Sequence, residues 1–235
     1  MEYKRILLKL SGEALMGGQQ YGIDPATLKA YCEDVKEVAE RNVQVAIVIG
    51  GGNIFRGMQG ATLGFDRVQG DYMGMLATVI NSMALQGELE AQGVKVKLLS
   101  GLRVDPVSEV MSGKKAIQYL NEGFVVIIAG GTGNPFFTTD TASALRAVEI
   151  HADILLKGTR VDGVYSADPE KDPSAVKYDF VTFDEAYEKK LQIMDMTAFT
   201  LCKENGLPIL VFDMNKKMNL MKVVNGESIG TMVGV

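Results

Sequence analysis

The chain is poor in the residues that most often carry chemistry on their own. Of its 235 residues one is histidine, His151, two are cysteine, Cys32 and Cys202, and none is tryptophan. The cysteines stand far apart, with no CxxC pair and no zinc-ligand spacing, which excludes a disulfide framework and a structural zinc site and fits a reducing compartment. His151 falls where a helix is expected to pass into a strand, and a structural role is expected for it. No apolar run is long enough to span a bilayer. Met1 to Leu10 holds Lys4, Arg5 and Lys9 within a short apolar run and lacks the hydrophobic region and cleavage site of a signal peptide. A cytoplasmic chain is expected. Positive charge is scarce too: 24 Lys and Arg against 29 Asp and Glu give a net charge of −5. That argues against a nucleic-acid or membrane-surface partner. A phosphate ligand would have to be held by local groups.

What is present is ordinary in amount and ordered in pattern. The hydrophobic fraction of 47% and the charged fraction of 23% suit a globular protein, and α/β chains of this length commonly form one domain. Residues 1–235 are read as a single domain with no internal repeat, low-complexity tract or linker. Lys4 to Leu10 reads as a first strand, turned by Ser11-Gly12. Asp24-Pro25 is a helix start, a cap followed by proline, and Leu28, Val35 and Val38 carry that helix to about Arg41. Val43 to Ile49 is a strand buried on both faces. Tyr72 to Gln86 has no charged residue, and a helix apolar nearly all round is buried in the core or against another chain. Met73, Met75 and Met83 suit an adaptable packing surface, and a subunit interface is favoured.

Further strands are expected at Val94 to Leu99, Phe124 to Ala129 and Ile154 to Leu156. A short helix, Gly113 to Leu120, follows a Ser112 cap, and another runs from Thr141 to Ile150. Ser166 to Pro173, with two Asp-Pro pairs, reads as a surface loop. Thr182 and Glu185 have capping-box spacing, Asp195 caps a helix ending near Gly206, and Ile209 to Phe212 and Thr231 to Val235 close the sheet. Alternating strands and helices predict a mostly parallel sheet with helices on both faces.

Three strands end in glycine loops: Ser11-Gly12, Gly50 to Gly52 and Gly130 to Gly133. In a parallel sheet all three lie beyond the carboxyl edge, where open α/β folds bind ligands. Gly130-Gly131-Thr132-Gly133-Asn134-Pro135-Phe136-Phe137-Thr138-Thr139-Asp140 leads from strand to helix, so its N–H groups and the helix end suit a phosphate. On local grounds it reads equally well as a capped loop. Three such loops on one edge indicate a polyphosphate or two phosphorylated ligands. Lys9 and Lys157 sit at strand ends beside them, each either a solvated end or one of a pair flanking a transferring phosphoryl group. Asp140 would pair with both lysines or act as a simple N-cap. GxxxxGK[ST] and the protein-kinase catalytic set are missing. An acceptor that is already an anion, such as a nucleoside monophosphate, needs no general base.

KLSGEAL (Lys9 to Leu15), GGGNIFRG (Gly50 to Gly57), GDYMGMLAT (Gly70 to Thr78), GTGNPFFTTDTA (Gly131 to Ala142) and LLKGTRVDGVYSADP (Leu155 to Pro169) resemble the bacterial UMP kinases of the amino-acid kinase superfamily. The first and last motifs are shared widely in that superfamily, whereas GGGNIFRG and TGNPFFTTD are much more specific to its UMP-directed branch. The resemblance implies a three-layer α/β/α sandwich, phosphoryl transfer from ATP with Mg²⁺ to UMP, and a homohexamer built from dimers. It implies an N-terminal part devoted mainly to UMP and dimer contact and a C-terminal part devoted mainly to ATP. Lys9, Leu10, Ser11, Gly12, Gly52 and Arg56 match positions near the ATP phosphates. Thr159, Tyr165 and Asp168 match the adenine-nucleotide side, with Tyr165 as an apolar wall beside the base. Gly51, Asp71, Thr132, Gly133, Asn134, Pro135, Phe136, Phe137, Thr138 and Thr139 match the UMP site, with Asp71 accepting from a ribose hydroxyl. Lys9, Lys157 and Asp140 are the catalytic candidates. Gly17, Gly18, Gln19, Gln20, Tyr21 and Gly22 partly match a loop associated with GTP activation, so GTP and UTP are candidate effectors. No protein metal ligands are expected, Mg²⁺ being held chiefly by phosphate oxygens and water.

Overall fold

The structure is a computed structural model, and the residues described are 3–55, 64, 66–167, 169, 171, 172 and 174–234. Arg56 and Asp168 lie outside the described residues.

Strands β1 (Arg5–Leu10), β2 (Gln44–Ile49), β3 (Val96–Ser100), β5 (Val125–Ala129), β6 (Ile154–Thr159) and β10 (Ile209–Asp213) coincide with the apolar runs. With β4 (Glu109–Val110), β9 (Phe180–Thr182) and β11 (Thr231–Gly234) they form a nine-stranded sheet ordered β4-β3-β5-β2-β1-β6-β10-β11-β9. Every pairing is parallel except β10 with β11. The sheet is therefore not closed by β10 and β11, as expected from sequence; β9 takes the edge beyond them. Two short strands, β7 (Val164–Tyr165) and β8 (Lys177–Tyr178), pair antiparallel around the polar Ser166 loop.

The helices are α1 (Pro25–Ala39), α2 (Arg67–Ala91), α3 (Gly113–Asn121), α4 (Thr139–Glu149), α5 (Phe183–Glu188), α6 (Met196–Glu204) and α7 (Asn219–Val224). A 3₁₀ turn, Gly12–Met16, follows β1. The caps read from sequence form. Asp24 accepts from Thr27, Ser112 from Lys115 and Asp195 from Ala198, and Thr182 and Glu185 make both bonds of a capping box. Helix α2 is longer than its uncharged stretch at both ends: Asp66 caps its start at Val68 and Gln69, and it runs on to Ala91 before Gln92 closes it.

Alternation along the strands splits the core into two layers. Ile6, Leu8, Leu10, Val45, Ile47 and Ile49 pack on the face covered by α1, α2 and α7. Leu7, Ala46, Val48, Val126 and Leu155 pack on the face covered by α3, α4 and α6. The result is a three-layer α/β/α sandwich with a mostly parallel central sheet. The pattern also decides where two lysines go: Lys9 lies two residues after Leu7, and Lys157 two after Leu155, so both belong to the α4 face.

Candidate active site

Register brings the lysines together. β1 and β6 pair in parallel with Lys9 opposite Lys157. Neither is the last residue of its strand, since β1 continues to Leu10 and β6 to Thr159. Above them begins α4. Its N-cap is Thr138, which accepts from Thr141, so Asp140 stands in the first turn and its carboxylate is free of capping. That carboxylate takes Lys9 Nζ on Oδ1 and Lys157 Nζ on Oδ2, each at 2.8 Å. Lys157 also donates to the carbonyl of Ile193. Side-chain exposures of 12% for Lys9, 15% for Lys157 and 17% for Asp140 leave the group mostly enclosed yet reachable.

The charges shift each other. Burial pushes the Asp140 carboxyl up, but Lys9 and Lys157 together outweigh it and hold the group below the ordinary aspartate value. Burial holds the Lys157 ammonium below the ordinary lysine value; Asp140 opposes that fall and Lys9 adds to it. Because the folded pKa of Asp140 is depressed, its contribution to stability is present above the unfolded aspartate pKa and is lost as pH falls through the lowered folded value. Asp140 is thus an anion at neutral pH with both oxygens occupied, which suits holding cations rather than accepting a proton.

The glycine loops after β1, β2 and β5 meet on this same edge. A Cβ on Gly12 would lie 2.5 Å from the carbonyl oxygen of Gly50, and one on Gly51 would lie 2.7 Å from Ala77 Cβ of α2. Only glycine permits these approaches, so the first loop rests on the second and the second on α2. Leu10 is fully buried and contributes its carbonyl, which accepts from Gly50 N at 3.0 Å. The loop of Gly17 to Gly22 ends against the second glycine loop, with Gly22 N bonded to the Asn53 carbonyl at 2.9 Å, and Tyr21 is exposed.

Three clefts bear on the site: two are lined by Lys157, and one by Thr139, the neighbour of Asp140. One of about 390 Å³ is bounded by Gly51, Gly52, Asp71, Thr132, Phe137, Thr138 and Thr139 among others. It unites most residues matched to the UMP site, together with Gly52, which was expected beside the ATP phosphates. Asp71 accepts from Phe136 N at 2.8 Å and pairs with Arg67 at 3.0 Å, and Arg67 lies over the Phe136 ring. Gly133, Asn134, Pro135 and Phe136 continue the same loop beyond the cleft's lining, with Asn134 and Phe136 exposed. A second cleft, of about 530 Å³, reaches from Lys157 along Thr159 to Tyr165, whose hydroxyl donates to Asp162. Ser11 is half-buried at the end of β1. The third cleft, about 690 Å³, is lined by Asp140, Lys157, Ile193, Asp195 and Phe199 among others.

Two members of the site escaped sequence reading. Asp195 caps α6, and it also accepts from the hydroxyls of Thr138 and Thr141, locking the start of α4 to the start of α6. The spacing of Thr138 and Thr141 on one helix face was the available signal for a shared partner. The Ile193 carbonyl carries no signal, since any residue type supplies one.

Comparison with known proteins agrees with this geometry. The chain matches the amino acid kinase family over residues 4–213. It is 62% identical to the uridylate kinase of Parabacteroides distasonis over 232 residues, covering 99% of this chain and 98% of that one. With the uridylate kinase of Porphyromonas gingivalis it shares 62% identity over 231 residues, 98% of this chain and 97% of that one. Among solved structures, UMP kinase from Bacillus anthracis superposes with a TM-score of 0.97 at 34% identity, covering 100% of this chain and 97% of that one. UMP kinase from Ureaplasma parvum gives 0.94 at 36% identity with both chains covered completely. The chain belongs to the amino acid kinase family and, within it, to the uridylate kinases.

Proposed function

We propose that this chain transfers the γ-phosphoryl group of ATP to UMP by direct displacement, without a general base. The observation that carries the reading is one carboxylate holding two ammonium groups, 2.8 Å from each, with its neighbour Thr139 lining one cleft and its partner Lys157 lining another. UMP occupies the cleft of Gly51, Asp71 and Thr139, and ATP the one running from Lys157 to Thr159 and Tyr165. A UMP phosphate oxygen, already anionic, attacks the γ-phosphorus; that bond forms as the bond to the β,γ-bridging oxygen breaks and ADP leaves with the electron pair. No proton must be removed from the nucleophile, so the enzyme has to align the reactants and stabilise charge. Lys9 and Lys157 face the equatorial and leaving oxygens as charge grows there, and Asp140 orients both. The N–H groups of the glycine loops and the start of α4 hold the phosphates. Mg²⁺ would arrive with ATP and would neutralise phosphate charge; among the described residues no group of three or more His, Cys, Asp or Glu is placed to hold it.

The chain acts as one domain in the cytoplasm, supplying UDP for pyrimidine nucleotide synthesis. Among the described residues no helix is long and apolar enough to cross a membrane. Tyr72, Leu76, Ile80 and Met83 leave an apolar stripe exposed on α2, as expected of a subunit contact within a homohexamer. Gly17 to Gly22 is the proposed place of response to GTP or UTP.

Incubating the purified chain with labelled ATP and Mg²⁺ against UMP, CMP, acetylglutamate or carbamate tests the reading. UMP should be the preferred acceptor and labelled UDP the product. Preference for a carboxylate or carbamate, or nucleotide binding with no UDP formed, contradicts it.

A further inference from the structure

Helix α2 passes behind two glycine loops and bonds to both. Thr78 Oγ1 accepts from the N–H of Gly130 at 2.8 Å and donates to the carbonyl of Met75 at 2.6 Å. One turn on, Asn81 Nδ2 donates to the carbonyl of Gly50 at 2.7 Å and to Asn53 Oδ1 at 2.7 Å. Asn53 returns a bond to Asn81 Oδ1 at 3.0 Å. Thr78 is 6% exposed and Asn81 0%. Residues three apart share a helix face, so these two polar side chains form a short inward strip within the uncharged middle of the helix, where Ser82 is buried as well. Both are already committed to backbone groups of the loops. The core needs neither: a buried polar side chain stabilises little over an apolar one of equal shape, but removing it strands the buried backbone group that it served.

We propose that Thr78 and Asn81 are positioning residues, which hold the third and second glycine loops at a fixed height over the reacting phosphates by tying Gly130 and Gly50 to one rigid helix. The proposal rests on the reading of the site as a UMP-directed phosphotransferase. Thr78 lines the acceptor cleft itself and, through Gly130, also serves the loop that bounds it. With its hydroxyl gone, Gly130 N–H is left buried without a partner, and the loop shifts toward water to satisfy it. Acceptor binding weakens while the ATP cleft, lined by β6, β7, the segment Lys190 to Ile193 and Val211, is untouched. Asn81 serves the loop on which Gly12 rests, so its loss misaligns donor and acceptor together and appears in turnover.

Steady-state kinetics with both substrates varied, on Thr78→Val, Thr78→Ser and Asn81→Asp, tests this alongside nucleotide titration of active sites. Thr78→Val keeps the shape and removes the acceptor; KM for UMP should rise about tenfold with KM for ATP unchanged. Thr78→Ser restores the oxygen and should restore KM. Asn81→Asp keeps the shape and removes the donor, and kcat per active site should fall about tenfold. If Thr78→Val does not fold, Thr78→Ala takes its place with the same expectation. KM values equal to the parent's for both substrates and an unchanged kcat per active site, with only the melting midpoint lowered, mean a merely structural role and overturn the proposal. If the parent itself forms no UDP, the underlying reading fails; if the parent turns over and the variants match it, the positioning role alone fails.

Discussion

Replacing Lys157 with methionine is expected to lower kcat about a hundredfold to a thousandfold while KM for UMP stays close to the parent value. Methionine keeps most of the buried stem and deletes the charge. Lys157 lies outside the residues bounding the acceptor cleft, so ground-state binding of UMP has little to lose. Its ammonium, held by the Asp140 carboxylate and the Ile193 carbonyl, borders the proposed ATP cleft, where the proposed mechanism has charge develop as the bond to the leaving oxygen stretches. A group that matters only at that moment appears in kcat and not in substrate affinity. Initial rates over a range of UMP at saturating ATP read both quantities. Turnover near the parent's would remove Lys157 from the mechanism, and an equally large rise in KM with kcat preserved would make it a binding residue.

Asp140→Asn should cost about 3 kcal/mol of folding stability as well as most of the activity. The amide has the shape of the carboxylate, so packing is preserved and the change isolates the charge. In the folded chain it leaves two enclosed ammonium groups facing one another with a neutral amide in place of the counter-charge between them. In the unfolded chain both are solvated, so the penalty falls on the native state. The size follows from burial, since a pair on the surface would contribute far less; here the three side chains are no more than 17% exposed. Urea unfolding at neutral pH, followed by a probe of tertiary structure, gives the difference directly. A midpoint equal to the parent's would mean that the ammonium groups find other partners and that Asp140 does not organise them.

Much of this site was legible because chemistry and folding leave the same marks. Continuous apolar runs that stop at Gly12, Gly50 and Gly130 announce parallel strands buried on both faces and ligand loops on one edge. Asp24-Pro25 and the Thr182–Glu185 pair announce helix starts by local hydrogen bonding, which needs no tertiary partner. The placement of Lys9 beside Lys157 was partly readable, because alternation sends each to the α4 side once Leu7 and Leu155 are recognised as core. Their pairing depends on register between strands far apart in sequence, and that is decided by packing.

What stayed hidden had no compositional signature. Strands β4, β7, β8 and β9 are two or three residues long and exist by virtue of their neighbours. Helix α7 is preceded by Met218 at the N-cap position, in the left-handed region at φ 69° with no side-chain cap, so the usual start signal is missing. Asp140 reads as a cap on local grounds, and only the structure shows Thr138 taking that place and freeing the carboxylate. Asp195 reaches Thr138 across 57 positions, a contact that one sequence has no means of announcing. Thr78 and Asn81 were visible as polar residues within an apolar helix, but their partners are backbone groups of remote loops.

The central claim is that two lysines held by one aspartate grip the phosphoryl group in flight. A crystal structure of the chain with UMP, MgADP and aluminium fluoride, which mimics the planar group between donor and acceptor, tests it most directly. The account predicts both Lys9 Nζ and Lys157 Nζ within hydrogen-bond distance of the fluorides or the flanking oxygens, with Asp140 still bridging them. A planar group seated elsewhere on the edge, with either ammonium turned away from it, would contradict the mechanism.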